Sequence, residues 1–222
     1  MTTIVCFGDS NTYGYNPETG MRYPKNIRWT GILQQMLGKN ADVIEEGCNG
    51  RTTVFVDPDE PWKTGRPYLK PCLHSHRVVD YLVLMLGSND LKTVFHASAE
   101  DIAQGMETLI QDTYAYCSLK QTVRPRILLV SPHLIGKGIT TSAFAGHFDE
   151  TAPERSAGLA PLYRALAEKY GCLYLNAAEY IQASAEDSLH LTPDAHMLLA
   201  RQVCRILAAD IRRETAPRPG CG

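Results

Sequence analysis

The sequence predicts an α/β fold: a three-layer α/β/α sandwich on a flavodoxin-like, five-stranded parallel sheet. Two patterns carry that expectation. Five short apolar runs are each closed by turn-forming residues, and helix-period stripes or helix-length segments fill the spaces between them. The length of 222 residues adds a third constraint, being enough for one well-buried α/β core and short for two.

The first run, residues 3–7, stops at Gly8 and reads as a buried strand. Comparable runs follow at 42–46, 81–86, 126–131 and 172–175. Between the first two, Trp29, Ile32, Leu33, Met36 and Leu37 recur at i, i+3, i+4, i+7 and i+8, which is one face of a helix. Ile102, Met106, Leu109, Ile110, Thr113 and Cys117 make a second stripe, and a weaker one runs over 153–170. The last helix opens after Thr192 as N-cap, with Pro193 in its first turn, and carries Met197, Ala200, Cys204, Leu207 and Ile211 on one side. Alternation of this kind buries a parallel sheet between two helical layers. The expected domain is residues 1–214, with 215–222 as a flexible tail. Two stretches, 57–76 and 133–153, are rich in Pro, Gly and aromatics and read as long connections, of a length that usually serves function or an interface.

Composition narrows the function. Basic and acidic residues number 22 and 24 and are spread along the chain, so no basic face is available to neutralise a phosphate backbone, and nucleic acid is not an expected partner. No segment approaches the roughly 20 apolar residues of a membrane span, and the N-terminus lacks a basic region or cleavage site; the expectation is a cytoplasmic protein with no membrane partner. Seven cysteines at irregular spacing, without a CxxC pair, fit reduced thiols better than a disulfide framework or a structural zinc site.

In open α/β sheets, ligands bind beyond the carboxyl ends of the strands, near the reversal of strand order. Four polar clusters fall at such positions: Gly8-Asp9-Ser10-Asn11, Gly47-Cys48-Asn49-Gly50-Arg51, Gly87-Ser88-Asn89-Asp90, and residues 187–190. Together they hold the parts that acyl chemistry needs. Ser10 is the candidate nucleophile and His190 the candidate base. Asp187, three residues before His190, can hold one ring nitrogen while the other faces Ser10. The Ser10 N–H, the Gly50 N–H and the Asn89 amide are candidate donors for an oxyanion. Alone, each cluster reads more readily as a turn, a bend or a helix cap. The functional reading rests on their occurring together after successive strands.

These four blocks resemble the conserved blocks of the SGNH (GDSL-type) hydrolase family, over residues 4 to about 210. Arg28-Trp29-Thr30-Gly31, Val43-Ile44-Glu45-Glu46-Gly47 and Arg51-Thr52-Thr53 are similar to the bacterial arylesterase and acyltransferase branch and to some carbohydrate acetylesterases. The resemblance implies Ser10 as nucleophile, Asp187 and His190 as the rest of a catalytic triad, and Ser10, Gly50 and Asn89 as an oxyanion hole. It also implies no metal, no organic cofactor and a homo-oligomer. Asn11 stands where the family has the leucine of its motif, and the expectation is that this bears on substrate fit rather than mechanism.

The implied activity is that of a serine esterase acting on small, short-chain carboxylic esters, aryl or alkyl acetates or acetylated carbohydrates, through an acyl-enzyme on Ser10. If an alcohol outcompetes water, the same site is an acyltransferase. From another class, residues 8–11 could bind acylated or phosphorylated ligands without turnover. Among the remaining candidates, His196 reads as a helix histidine outside the triad. His74 and His76, two apart in the 57–76 connection, lack a Cys or carboxylate at ligand spacing and make no metal site. Arg51 either orients substrate or pairs with Glu45 or Glu46. Trp62, Tyr68, Phe95, Phe144 and Phe148 are expected around the pocket rim.

Overall fold

Five strands form one parallel sheet: β1 (Thr2–Gly8), β2 (Ala41–Gly47), β3 (Tyr81–Met85), β4 (Arg126–Ser131) and β5 (Leu173–Asn176), in the order β2-β1-β3-β4-β5. A computed structural model describes residues 1–215; the tail expected over 215–222 lies outside them apart from Thr215, which ends the last helix. Because successive strand side chains point to opposite faces, each apolar run feeds two cores at once. Val5, Phe7, Leu82, Leu84, Ile127 and Leu129 face one layer, and Ile4, Cys6, Tyr81, Val83, Leu128 and Val130 face the other. Burial on both faces is why β1, β3 and β4 are almost continuously apolar, whereas the edge strand β2 carries Asp42, Glu45 and Glu46.

The first layer is α3 (Gly65–Ser75), α4 (Ala99–Lys120) and α5 (Ala152–Tyr170); the second is α2 (Trp29–Leu37) and α6 (Pro193–Thr215). A short α1 (Ser10–Tyr13) follows β1 directly. Ser98 opens α4 with a capping box, its hydroxyl accepting from the Asp101 N–H while the Asp101 carboxylate accepts from the Ser98 N–H. Thr192 does similar work for α6, its hydroxyl accepting from the Ala195 N–H. Far along α6, Asp210 accepts two hydrogen bonds from Arg126 and one from the Tyr81 hydroxyl, which clips the helix to the amino ends of β3 and β4.

The 57–76 stretch departs from expectation. It is not an open connection, because α3 occupies its second half and places Leu69, Cys72 and Leu73 in the core. Pro71 obscured it, since an interior proline removes a helix hydrogen bond. Burying the three apolar side chains, at about 1.5–3 kcal/mol for a residue the size of leucine, offsets that loss. Before α5 begins at Ala152, the 133–153 stretch holds a short 3-10 turn, Lys137–Thr141, and is tied down by the buried side chains of Ile139 and Phe148.

Residues that look unrelated in the sequence meet at the edge of the sheet. Glu45 on β2 accepts two hydrogen bonds from Arg28 and one from Thr30, at the start of α2. Burial alone would raise this carboxyl, but these bonds bring it below the ordinary glutamate range. The six described cysteines are free thiols; Cys221 lies outside the described residues. Among the described residues no helix is long and apolar enough to cross a membrane.

Gly47 closes β2 where α1 crosses it, and a Cβ there would lie 2.1 Å from the Tyr13 nitrogen. Neither group is the end of a flexible side chain, so one backbone must move. Gly47→Ala is expected to cost about 1–3 kcal/mol in chemical unfolding, the usual range for overpacking a rigid contact.

Candidate active site

The site is built at the carboxyl ends of β1, β2 and β3, where the strand order reverses. After Gly8 the chain turns at once into α1, with Asp9 as N-cap accepting from the Asn11 N–H at 2.9 Å. Ser10 is thereby the first residue of a helical turn, and its N–H has no intrahelical acceptor. Gly14, at φ +88°, ends the turn and sends Tyr15 back over the site.

The second half of the site comes from residues 184–191, whose backbone groups are bonded in close succession. Ser184 N–H donates to the His190 carbonyl, Ser188 N–H to the Ser184 carbonyl, and Gly136 N–H to the Ser188 carbonyl. His133 Nε2–H donates to the Leu189 carbonyl at 2.9 Å. Ser188 adopts φ +61°, unusual for a residue with a side chain, and the surrounding bonds hold it there.

These two segments bring together the three residues singled out from the sequence. The Asp187 carboxylate lies 2.6 Å from His190 Nδ1, and His190 Nε2 lies 2.9 Å from Ser10 Oγ. All three residues are buried. Burial would raise the Asp187 carboxyl, but the His190 ring and the N–H groups of Leu189 and His190 together hold it below the usual range, so it remains a carboxylate. With Nδ1–H committed to Asp187, Nε2 has a lone pair for the Ser10 proton. Such a line can draw that proton away as the serine oxygen attacks an electrophile.

Gly50 and Asn89 arrive from the turns after β2 and β3 and line the same cavity as Ser10 and His190. Gly50 has φ +77°, a conformation that suits glycine, and its open face is covered by the Lys63 side chain. Asn89 Nδ2 donates to the Arg51 carbonyl at 3.2 Å, and its other contact, Asp9 Oδ2, is at the 3.5 Å limit of a hydrogen bond. One amide hydrogen is therefore weakly held. Burial raises the Asp9 carboxyl to about 7 and that of its neighbour Asp90 to about 6.

The cavity is about 260 Å³ and is also lined by Tyr15, Phe144 and Phe148 and by Asp57, Asp59, Glu60, Lys63 and Lys92. Tyr15 and Phe144 pack against the His190 ring, with centroids 4.2 Å and 5.3 Å away. Lys92 is paired with Asp57 at 3.2 Å and Lys63 with Glu60, so the wall offers charged donors and acceptors side by side. A larger groove of about 890 Å³, running past Leu134 and Ile181, contains none of the clustered polar residues.

Several expectations need correction. Trp62, Tyr68 and Phe95 do not line the cavity: Trp62 is exposed, Tyr68 stacks on Phe7 from α3, and Phe95 packs on Phe55. Arg51 pairs with neither the Glu45 nor the Glu46 carboxylate through a hydrogen bond; its guanidinium donates to the Gly8 and Glu46 carbonyls and lies over Phe7. His74 lies within α3 and His76 caps it; Cys72 stands one helical turn before His76, at a ligand spacing the sequence already held, and folding adds Glu46 beside them. The His76–Glu46 hydrogen bond and the adjacent Arg51 guanidinium oppose a cation there. Asn11 points away from the cavity, toward the loop of His190.

Sequence reasoning missed Tyr15 and His133. His133 carried a usable signal, since it lies just past the end of β4, a strand end of the same kind as those that hold the polar clusters. Burial lowers His133 to about 4 and His196 to about 3; the latter accepts the Trp29 N–H at Nδ1. The folded chain keeps both rings neutral, whereas the unfolded chain protonates them below about pH 6.5. Their contribution to stability is therefore whole above that pH and shrinks as pH falls toward the folded values. Ring resonances followed by NMR are expected to stay at neutral positions down to about pH 5 for both residues.

Comparison with known proteins bears on this arrangement. Residues 6–198 match the model of the GDSL-like Lipase/Acylhydrolase family. Among solved structures, a carbohydrate acetylesterase from Sinorhizobium meliloti is 33% identical with a TM-score of 0.88, covering 94% of this chain and 99% of that one. A carbohydrate acetylesterase family member from the same organism is 35% identical with a TM-score of 0.86, covering 96% and 98%. The native aryl esterase of M. smegmatis is 33% identical with a TM-score of 0.87, covering 94% and 99%. No curated protein sequence matches. The family match spans most of the chain, and together with the sheet order and these neighbours it establishes that the chain belongs to the GDSL-like lipase/acylhydrolase family, the SGNH hydrolases.

Proposed function

We propose that this hydrolase cleaves short-chain carboxylic esters through an acyl-enzyme on Ser10. The observation that carries the reading is the 2.9 Å contact between Ser10 Oγ and His190 Nε2, backed by Asp187 and opening on a small cavity. In the first half-reaction the Ser10 oxygen attacks the ester carbonyl as its proton passes to His190 Nε2. The Ser10 and Gly50 N–H groups and the Asn89 amide stabilise the oxyanion. Collapse expels the alcohol, which takes the proton back from His190. Water then attacks the acyl-Ser10 ester, giving its proton to His190, and the acid departs as that proton returns to Ser10.

A cavity of about 260 Å³, with Tyr15, Phe144 and Phe148 in its wall, favours a short acyl group such as acetyl. The Lys63–Glu60 and Lys92–Asp57 pairs beside it favour an alcohol part rich in hydroxyls, to which charged groups can both donate and accept. Acetylated carbohydrates fit both features, and similarity to the acetylesterases supports that choice. Ser10→Ala is expected to lower turnover of p-nitrophenyl acetate by about 10³-fold or more, and Asn89→Ala by about 10²–10³-fold. Steady-state kinetics on acetate and octanoate esters check this; a Ser10→Ala protein that keeps most of its turnover ends the scheme.

A second reading changes only the acceptor. Tyr15 and Phe144 flank His190, where the deacylating nucleophile must approach, and an apolar flank favours an alcohol over water. Added alcohol is then expected to divert acetyl groups into a new ester, measured as the ratio of ester to acid. Acid alone at high alcohol removes this reading.

A further inference from the structure

Asn11 is 3% exposed and lies behind the catalytic loop. Its Nδ2 donates to the Leu189 carbonyl at 3.4 Å, and its Oδ1 accepts from the Leu191 N–H at 3.2 Å. These are the carbonyl before His190 and the N–H after it. A residue in a parallel strand pair makes that same pattern of bonds to the neighbours of the residue it faces, so the side-chain amide acts as one rung of a ladder. The residue between the two bonds, His190, is left with its ring directed at Ser10.

The other end of Asn11 is equally fixed. Its own N–H is held by Asp9 at 2.9 Å, and it follows Ser10 directly in α1. One rigid unit, the first turn of α1, therefore sets both the serine and the loop that presents the histidine. His133 adds a second donor to the Leu189 carbonyl but none to Leu191. No hydrophobic side chain in place of Asn11 could reproduce both bonds: the Leu189 carbonyl would keep its bond from His133, but the Leu191 N–H would lose its Asn11 acceptor.

We propose that Asn11 is a positioning residue that holds His190 in line with Ser10 Oγ, so that it governs proton transfer without touching substrate. The proposal rests on the esterase reading above, in which His190 returns a proton to the leaving alcohol. That return matters little for a nitrophenolate, which leaves readily as an anion, and greatly for an alkoxide. A displaced His190 must therefore penalise alkyl esters more than nitrophenyl esters.

The test uses Asn11→Leu, which removes both bonds, and Asn11→Asp, which keeps the shape and the acceptor but sets an oxygen against the Leu189 carbonyl. For each folded variant, kcat/KM is measured on ethyl acetate and on p-nitrophenyl acetate. The expected result is a fall of about tenfold in the ethyl to nitrophenyl ratio, which the fraction of active protein cannot alter. The proton that His190 Nδ1 shares with Asp187 is expected to broaden in the NMR spectrum of the same variants. If Asn11→Leu does not fold, Asn11→Asp decides alone. A ratio equal to that of the wild type, however low the absolute rates, overturns the proposal. A wild type that turned over neither ester would sink the esterase reading by itself, and the Nδ1 proton signal would still test the positioning role.

Discussion

The parallel pairing of β1 between β2 and β3 sets Gly8 opposite Gly47 on one side and Met85 on the other. From that register the turn carrying Ser10, the turn carrying Gly50 and the turn carrying Asn89 all leave the sheet at one level. The close approaches at this level explain its glycines. A Cβ on Gly8 would meet the Thr12 side chain, and one on Gly47 would meet the α1 backbone. The three turns are thus packed to backbone contact, and a change of register by one residue would reverse the face of every side chain on β1.

The electrostatics of the site divide cleanly by environment. Asp187 is surrounded by donors, the His190 ring and two backbone N–H groups, and these outweigh burial. Asp9 and Asp90 are buried close to one another; for both, burial dominates and raises the carboxyl. Negative charge is therefore held firmly on Asp187 behind His190 and less firmly on Asp9 and Asp90 beside Asn89. Residue type alone does not separate these three aspartates.

Rigidity has a comparable origin. The loop 184–191 has no regular secondary structure, yet the Ser184, Ser188, Leu189 and His190 carbonyls each accept a bond. The connection 133–153 contributes the Gly136 bond, His133 and the Phe144 ring that lies against His190. On the opposite wall, the segment bearing Lys63 is bound to the Gly50 turn through a bridge between Thr52 and Thr64. Loops placed by such bonds can carry chemistry that an unsupported loop would blur over a range of positions.

The sequence by itself determined the strands, four of the long helices, the parallel α/β class and the set of residues that meet at the strand ends. Those follow from periodic burial and from turn chemistry, which are written locally. It did not disclose α3, because Pro71 argues against a helix unless the packing of Leu69, Cys72 and Leu73 is known. Nor did it place Asn11, whose side chain serves residues 178 and 180 positions away, or exclude Trp62 and Phe95 from the cavity wall. Proton affinities, the direction of a side chain and the membership of a cavity depend on neighbours that only the folded chain supplies. Desolvation and hydrogen bonding act between atoms close in space, whatever their distance in the sequence.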